Sequence, residues 1–253
     1  MARASAQRAK YVYGVIRTSG RSKPKVKGID GRPLAVVKSN GSLGALVSDV
    51  PEGPLEAGRD ELLTHSRVLE KALEQGTVLP MRFGVIMPDE STVRDQLLEA
   101  HRPELEEQLD QMEDKVELNL KGLYDEASVL REVLAENPEA AQLRELVQSK
   151  PEDAAYFDRI RLGELIAEAL TAKREADEQW ILDRLAPHAV AVEPGNLVHE
   201  HMMVNASFLV ERKRLPKFDE ALEKIAAEQH PRISFKLTGP LPPHSFVELS
   251  LET

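Results

Sequence analysis

The sequence contains no cysteine, few aromatic residues and no long apolar run. Without cysteine, the chain has no disulfide framework, thiolate metal site or cysteine nucleophile, which fits a reducing cytoplasm. Aromatic residues make up 4% of the chain. This disfavours a nucleic-acid-binding surface, because such surfaces stack bases on aromatic rings. No apolar segment approaches the roughly 20 residues that cross a bilayer, so we predict no membrane span.

The first residues also lack the features of a secretory signal. Residues 1–10 carry Arg3, Arg8 and Lys10, but no apolar segment follows them. Hydrophobic residues at 42% and charged residues at 30% are typical of a globular protein. The length of 253 residues favours one large or two small domains.

Charge is distributed unevenly along the chain. Residues 1–50 hold ten Lys or Arg residues and two Asp or Glu residues, whereas the whole chain has a net charge of −10. A basic segment on an acidic body is compatible with binding to nucleic acid or to an acidic partner. A solvated, flexible basic arm over residues 1–9 and a lysine-rich loop over residues 21–27 explain the same pattern. We favour that interpretation and predict no nucleic-acid partner.

No motif in the sequence predicts catalysis or a cofactor. The chain has no G-x-S-x-G nucleophile motif, no phosphate-binding G-x-x-x-x-G-K-[ST] loop and no H-E-x-x-H zinc motif. The acidic run between residues 104 and 114 is interpreted as a solvated helix face and not as a pair of catalytic carboxylates. We therefore predict no catalytic, cofactor-binding or metal-binding residues, no cofactor and no enzymatic activity.

Histidine needs separate consideration, since its side chain serves both catalysis and metal binding. In a strand, His199 and His201 would point to one face and bind zinc with a third ligand, although Glu200 would face the other way. We favour a polar turn at this position. His65 and His101 fall on predicted helices and are interpreted as core or boundary residues, because nothing in the sequence pairs either with a carboxylate. The remaining histidines are His188, His230 and His244.

The first half of the chain predicts alternating strands and helices. We predict strands over residues 11–16, 34–37, 43–47 and 77–87, and helices over residues 59–75 and from residue 88 onward. Asn40-Gly41 predicts a hairpin turn, because both residues adopt positive φ at low cost. Pro80 predicts the start or the edge of its strand, and Pro103 predicts a break in the last helix near Arg102. The predicted buried face of the first helix is Leu62, Ser66, Leu69 and Leu73.

The second half predicts the order β-α-β-β-α-β of a ferredoxin-like fold. We predict strands over residues 115–120, 190–192, 202–210 and 232–238, and helices over 125–136, 138–149, 152–186 and 216–229. The helical crossover is longer than one sheet needs. We therefore predict an α+β fold of two domains with a tail. These are an N-terminal α+β domain over 1–113, a ferredoxin-like domain over 114–239 with a helical insertion over 125–186, and a Pro-rich C-terminal tail over 240–253.

The tail contains three prolines within four residues, Pro240, Pro242 and Pro243. These prolines predict an extended path that loses little conformational entropy on ordering. Such a tail either docks on the protein itself through Phe246 and Val247 or offers a surface to a partner. We favour docking on the protein itself.

Five segments, in this order, resemble the gas vesicle protein F/L family. They are Tyr11–Val15 (YVYGV), Val78–Gly84 (VLPMRFG), Lys115–Leu118 (KVEL), Met203–Val210 (MVNASFLV) and Leu237–Phe246 (LTGPLPPHSF). Their order and spacing extend from about residue 10 to residue 248. The sequence differs from the family at Leu241, where an aromatic residue is usual, and at His244, where tyrosine is usual. Val85-Ile86 likewise replaces a more usual Thr-Val.

The resemblance implies a cytoplasmic accessory or minor structural protein of gas vesicles, the hollow, protein-walled flotation organelles of some bacteria and archaea. It implies binding to the small hydrophobic shell protein, contact with other gas vesicle proteins, and neither catalysis nor a cofactor. A free shell subunit exposes apolar surface and tends to aggregate. Our hypothesis is that an exposed sheet edge or an apolar helix face of this chain covers that surface.

Two other functions stay open from the sequence. One is a small-molecule-sensing regulatory module, because ligands often bind at interfaces between domains. The other is a hydrolase that uses His199 or His201. A ligand-induced rise in melting temperature favours the first, and loss of function on substitution of both histidines favours the second.

Overall fold

The computed structural model describes residues 8–19, 24–50 and 58–248. Most of the predicted basic arm, residues 1–7, therefore lies outside the described residues, as do residues 249–253 of the predicted tail. The chain is 50% helical and 26% strand, which confirms a fold of mixed helix and sheet. It divides into two compact units, Met1–Glu117 with Gly239–Thr253, and Leu118–Thr238.

The first unit contains a five-stranded sheet around one central strand. Its strands are β1 (Lys10–Arg17), β2 (Ala35–Lys38), β3 (Leu43–Asp49), β4 (Val78–Pro80) and β5 (Ile86–Met87). Their order is β2-β3-β1-β4, and β5 also pairs with β1. Strand β1 is antiparallel to β3, β4 and β5. Because β1 has neighbours on both sides, every residue from Tyr11 to Ile16 is buried.

The predicted strands of this unit are confirmed, with one interruption. The expected strand over residues 77–87 is split into β4 and β5, and Pro80 ends β4 at the edge of the main sheet path. This position suits proline, because proline has no backbone N–H to donate to a neighbouring strand. The hairpin between β2 and β3 is also present, but Asn40 and Gly41 do not adopt the positive φ on which its prediction rested. The turn spans four residues, and Ser39 N donates to Leu43 O across it.

The helices of the first unit are α1 (Arg59–Leu73), α2 (Glu90–Thr92), a π-helix over Val93–Glu99, and α3 (Arg102–Gln111). A helix end at residues 100–101 confirms the break that Pro103 predicted, because proline is tolerated only in the first turn of the following helix. The π-helix was not predicted. The Asp89 carboxylate caps α2 by accepting from Thr92 N at 2.7 Å.

The predicted buried face of α1 is wrong by part of a turn. Leu62 is 43% exposed and Ser66 is exposed, whereas the buried residues are His65, Val68, Leu69, Ala72 and Leu73. The spacing of these residues still follows the helical period. The buried face includes a polar residue, His65, which hydrogen-bonds to Tyr11 and to the Met81 carbonyl oxygen. A pattern of hydrophobic residues alone does not predict that a histidine lies on the buried face.

The second unit contains a four-stranded sheet and the long helices. Its strands are β6 (Lys115–Tyr124), β7 (Ala191–Pro194), β8 (Met202–Glu211) and β9 (Ile233–Leu241), in the order β7-β8-β6-β9. Its helices are α4 (Glu126–Glu136), α5 (Pro138–Ser149), α6 (Tyr156–Leu185) and α7 (Leu215–Gln229). These elements confirm the predicted strands and helices. Strand β9 extends through Pro240 to Leu241, two residues that the sequence assigned to the tail.

One hydrophobic core holds the second unit together. Phe208 of β8 and Phe218 of α7 pack edge to face with ring centroids 5.1 Å apart, and both are fully buried. Ile181 and Leu185 of α6 join the same cluster. The predicted insertion is anchored here by the C-terminal half of α6. Helix α5 of this insertion begins at a side-chain cap, since Asn137 Oδ1 accepts from Ala140 N at 3.1 Å.

Candidate functional site

A buried polar cluster lies between α1 and the first sheet. The Tyr11 hydroxyl lies 2.8 Å from His65 Nδ1, and His65 Nε2 lies 3.2 Å from the Met81 carbonyl oxygen. Because a carbonyl oxygen only accepts, Nε2 carries the proton and Nδ1 accepts from Tyr11. Gly84 N in turn donates to the Tyr11 oxygen at 3.1 Å. The imidazole stacks on Tyr13, with centroids 5.6 Å apart.

The cluster holds the His65 imidazole in its neutral form. Burial, together with the charge of His244, lowers the pKa of His65 to about 4. The imidazole is therefore neutral at pH 7, and both of its nitrogens are already hydrogen-bonded. Protonation of Nδ1 would place a second donor against the Tyr11 hydroxyl. The interpretation of His65 as a core residue fits this geometry.

The neutral state of His65 makes stability depend on pH. The unfolded state binds a proton below about pH 6.5, whereas the folded state does so only near pH 4. Stability is therefore lost as the pH falls between these two values. We expect the wild type to lose about 2 kcal/mol more than a His65→Gln variant between pH 8 and pH 5. Urea unfolding of both proteins at each pH tests this, and equal pH slopes would contradict the assignment.

The histidines at residues 199 and 201 lie in a turn before β8. Met202 N donates to His199 O at 3.0 Å, and the two imidazole centroids are 6.4 Å apart. The favoured interpretation as a polar turn fits this geometry, and the strand geometry needed for a shared metal face is not formed. Across residues 8–19, 24–50 and 58–248, no group of three or more His, Asp or Glu side chains is placed to hold a metal ion.

The contacts of His101 differ from those predicted. It was expected to have no carboxylate partner, but its Nδ1 lies 3.6 Å from Glu104 Oε2. The pair lies one helical turn apart at the start of α3 and is partly exposed. The acidic run lies on this helix as far as Asp110, which pairs with Arg17 at 2.5 Å, and its last two members follow the helix end. These contacts fit the interpretation of the run as a solvated face.

The C-terminal segment docks on residues of the first unit. Ser245 N and Ser245 Oγ each donate to a different oxygen of the Glu117 carboxylate at 2.8 Å. Gln108 Nε2 donates to Glu248 O at 2.8 Å. Phe246 and Val247 are half-buried. The segment thus docks on the protein itself, as favoured from the sequence, and its polar contacts, which the sequence did not suggest, are made by Ser245 and Glu248.

A network of polar and charged side chains joins α4, α6 and β6 to the turn that precedes β9 in the second unit. Arg232 Nε donates to Glu132 at 2.8 Å, and its Nη2 hydrogen-bonds to Asp177. The Tyr124 hydroxyl donates to the same Asp177 oxygen at 2.5 Å. Lys173 of α6 pairs with the same Glu132 of α4 at 3.2 Å. Although burial disfavours its charge, the bonds to Asp177 and Glu132 raise the pKa of Arg232 above its ordinary value.

An exposed apolar patch lies at the beginning of α6. We define the α6 patch as Tyr156, Phe157 and Ile160, which are 60%, 81% and 45% exposed. The two aromatic rings pack edge to face with centroids 5.3 Å apart. An open groove of about 690 Å³ runs along these residues. Sequence reasoning missed this patch, and its local signal was an aromatic pair that follows Pro151, two carboxylates and two alanines.

Comparison with known proteins assigns the chain to a family. Residues 9–248 match the sequence profile of the family described as gas vesicle synthesis protein GvpL/GvpF. The chain belongs to this family. The match covers the described parts of both units, and the resemblance inferred from five segments is confirmed. A role related to gas vesicles follows from membership.

Individual relatives support the same assignment. The chain is 40% identical over 240 residues to gas vesicle protein F of Streptomyces sp. (strain CB03234), which covers 94% of this chain and 99% of the relative. It is 27% identical to gas vesicle protein L of the same strain, covering 98% of this chain and 96% of that one. Gas vesicle protein F of Dolichospermum flosaquae is 26% identical, with coverage of 94% and 97%.

Two solved structures share the fold. The crystal structure of GvpF from Anabaena sp. PCC7120 superimposes with a TM-score of 0.82 at 24% identity, covering 96% of this chain and all of that one. GvpF from Microcystis aeruginosa gives a TM-score of 0.78 at 24% identity, with coverage of 95% and 99%. Within the described residues, no helix combines the length and apolar character needed to cross a membrane.

Proposed function

We propose that this GvpL/GvpF family member is a non-enzymatic accessory or minor structural protein that binds the small hydrophobic shell protein and supports gas vesicle assembly or nucleation. The observation that carries the proposal is the continuous family match over residues 9–248. On this proposal the protein acts in the cytoplasm and at the gas vesicle, takes no cofactor and contacts other gas vesicle proteins.

The physical basis of the proposal is the solubility of the shell subunit. A protein that lines a gas space exposes a large apolar surface, and such a surface drives aggregation of the free subunit. An acidic partner with a net charge of −10 keeps a complex in solution through its own charge. Exposed sheet edges and an exposed apolar helix face are two ways to bind such a subunit. The described chain offers both, at the outer strands β7 and β9 and at the α6 patch.

Two finer assignments accompany the proposal. We infer that the chain is the F-type member, because it is 40% identical to the F protein and 27% identical to the L protein of one Streptomyces strain. We also infer that residues 114–239 form a ferredoxin-like domain with an insertion over 125–186. The strand order β7-β8-β6-β9 supports this, since it places the first and third strands of the domain at the centre of the sheet.

Co-expression with a gas vesicle shell protein tests the proposal. We expect the tagged chain to retain the shell protein at native salt and to raise its soluble fraction, because the complex covers apolar surface. The tag alone and an unrelated protein of similar net charge serve as controls. Absence of the shell protein from the eluate at native salt would contradict the proposal, as would equal retention by the acidic control protein.

A further inference from the structure

The α6 patch is the most exposed aromatic surface of the described chain. Phe157 is 81% exposed and Tyr156 is 60% exposed, although large aromatic side chains are usually buried. The fold gains nothing from this exposure, since neither ring contributes to the core of the second unit. The pair is nevertheless ordered by its own edge-to-face contact. Rings that are packed before binding lose less side-chain entropy when a partner covers them.

The area of the α6 patch limits the size of the partner that it can bind. A fully buried aromatic side chain covers roughly 150–250 Å², so the exposed parts of Tyr156 and Phe157 amount to roughly 200–350 Å². A stable interface between two globular proteins buries roughly 800 Å² on each side. The patch is thus too small to hold a second copy of this chain, and its size fits the few anchor residues of a single helix.

The charges around the α6 patch indicate which charge the partner helix carries beside its apolar face. Glu152 pairs with Arg159 at 3.3 Å, and Asp158 pairs with Lys150 at 2.5 Å. Asp153, which lines the groove, has no ion-pair partner among the described residues. The rim therefore carries an uncompensated negative charge next to the apolar rings. A basic side chain beside the apolar face of the partner would complement it.

We propose that the α6 patch is the docking site for a short amphipathic helix with a basic flank, supplied by the gas vesicle shell protein. The proposal rests on the function proposed above and names the surface that performs it. The apolar face of the helix covers Phe157 and Tyr156 along the groove, and its basic flank meets Asp153. Strands β7 and β9 then take no part in this contact.

A pair of matched substitutions tests the surface. Phe157→Glu and Val198→Glu each place one negative charge on an exposed apolar position of the second unit, since Val198 is 70% exposed. In the co-expression pull-down, we expect Phe157→Glu to retain about tenfold less shell protein, the effect of losing a central aromatic anchor. Val198→Glu should retain the wild-type amount. Phe157→Ser repeats the test without a new charge if the first variant does not fold.

The charge at the rim is tested in the same way. Asp153→Lys should reduce retention about threefold at low salt and less at high salt, because the contact is exposed and screened. Asp219→Lys, an exposed carboxylate on α7, is the matched control and should have no effect.

The outcomes separate the two proposals. Equal retention by wild type, Phe157→Glu and Phe157→Ser overturns the α6 patch as the docking site and leaves shell binding in place. No retention by the wild type overturns both. A wild-type dimer in sedimentation that Phe157→Glu converts to monomer would show that a second copy occupies the patch, and would also overturn the proposal.

Discussion

Replacing Arg232 by alanine is expected to destabilise the second unit by about 3 kcal/mol. The guanidinium and the Asp177 carboxylate are 17% and 22% exposed, so loss of the cation leaves a largely buried carboxylate without its partner. Three further contacts are lost, the hydrogen bonds to Glu132 and Gln229 and the packing over the Tyr124 ring at 5.4 Å. Trp180, the single tryptophan, lies in this unit, and its fluorescence during urea unfolding measures the effect.

Arg161→Ala is the matched control for this prediction. Arg161 also contacts two carboxylates, Glu139 at 3.4 Å and Glu164 at 3.6 Å, but its side chain is 53% exposed. Exposed ion pairs contribute roughly 0–1 kcal/mol, so this variant should unfold at nearly the wild-type urea concentration. Arg232→Lys should fall between the two, because lysine keeps the charge and loses the forked geometry. Similar losses for Arg232→Ala and Arg161→Ala would show that the network does not stabilise the unit.

Gly14→Val is expected to cost about 3 kcal/mol in the first unit. A Cβ atom at this position would lie 2.6 Å from the Leu79 carbonyl oxygen and 3.1 Å from Leu69 Cδ2. The first contact is with the backbone of the adjacent strand β4, so a rotamer change cannot relieve it. The glycine allows β1, β4 and α1 to approach one another this closely. Urea unfolding monitored by far-UV circular dichroism measures the loss.

Adding a Cβ atom at Gly163 should have the opposite effect on the free energy of unfolding. Gly163 lies inside α6, and a Cβ atom there would have no neighbour within 4 Å. Gly163→Ala should therefore stabilise the protein by about 0.5–1 kcal/mol through helix propensity. The close packing inferred at Gly14 is wrong if Gly14→Ala proves as harmless as Gly163→Ala.

Local features of the sequence predict most of the secondary structure. The period-two pattern after Lys115 predicts β6, and Pro103 predicts the boundary before α3. The helix predicted over residues 138–149 likewise begins at Pro138, because proline geometry at a helix start is decided by a few adjacent residues. The five family segments also predict the gas vesicle assignment, since they follow in order along the chain.

Features that depend on distant residues could not be predicted. The network at Arg232 combines residues 124, 132, 177 and 232, and no local pattern links positions so far apart. The buried face of α1 depends on the fit of His65 to Tyr11 and Met81. Exposure at the α6 patch depends on which helix faces the core covers, whereas an apolar pattern alone predicts that Phe157 and Ile160 are buried.

The docking of Ser245 on Glu117 has a consequence for the order in which the protein matures on the ribosome. Residues 239–248 belong to the same unit as β1, yet they are translated after all of residues 118–238. The Glu117 carboxylate therefore cannot accept from Ser245 until the last segment has left the exit tunnel. Premature termination after residue 238 would remove the Ser245 contact from the first unit and the last three residues of β9.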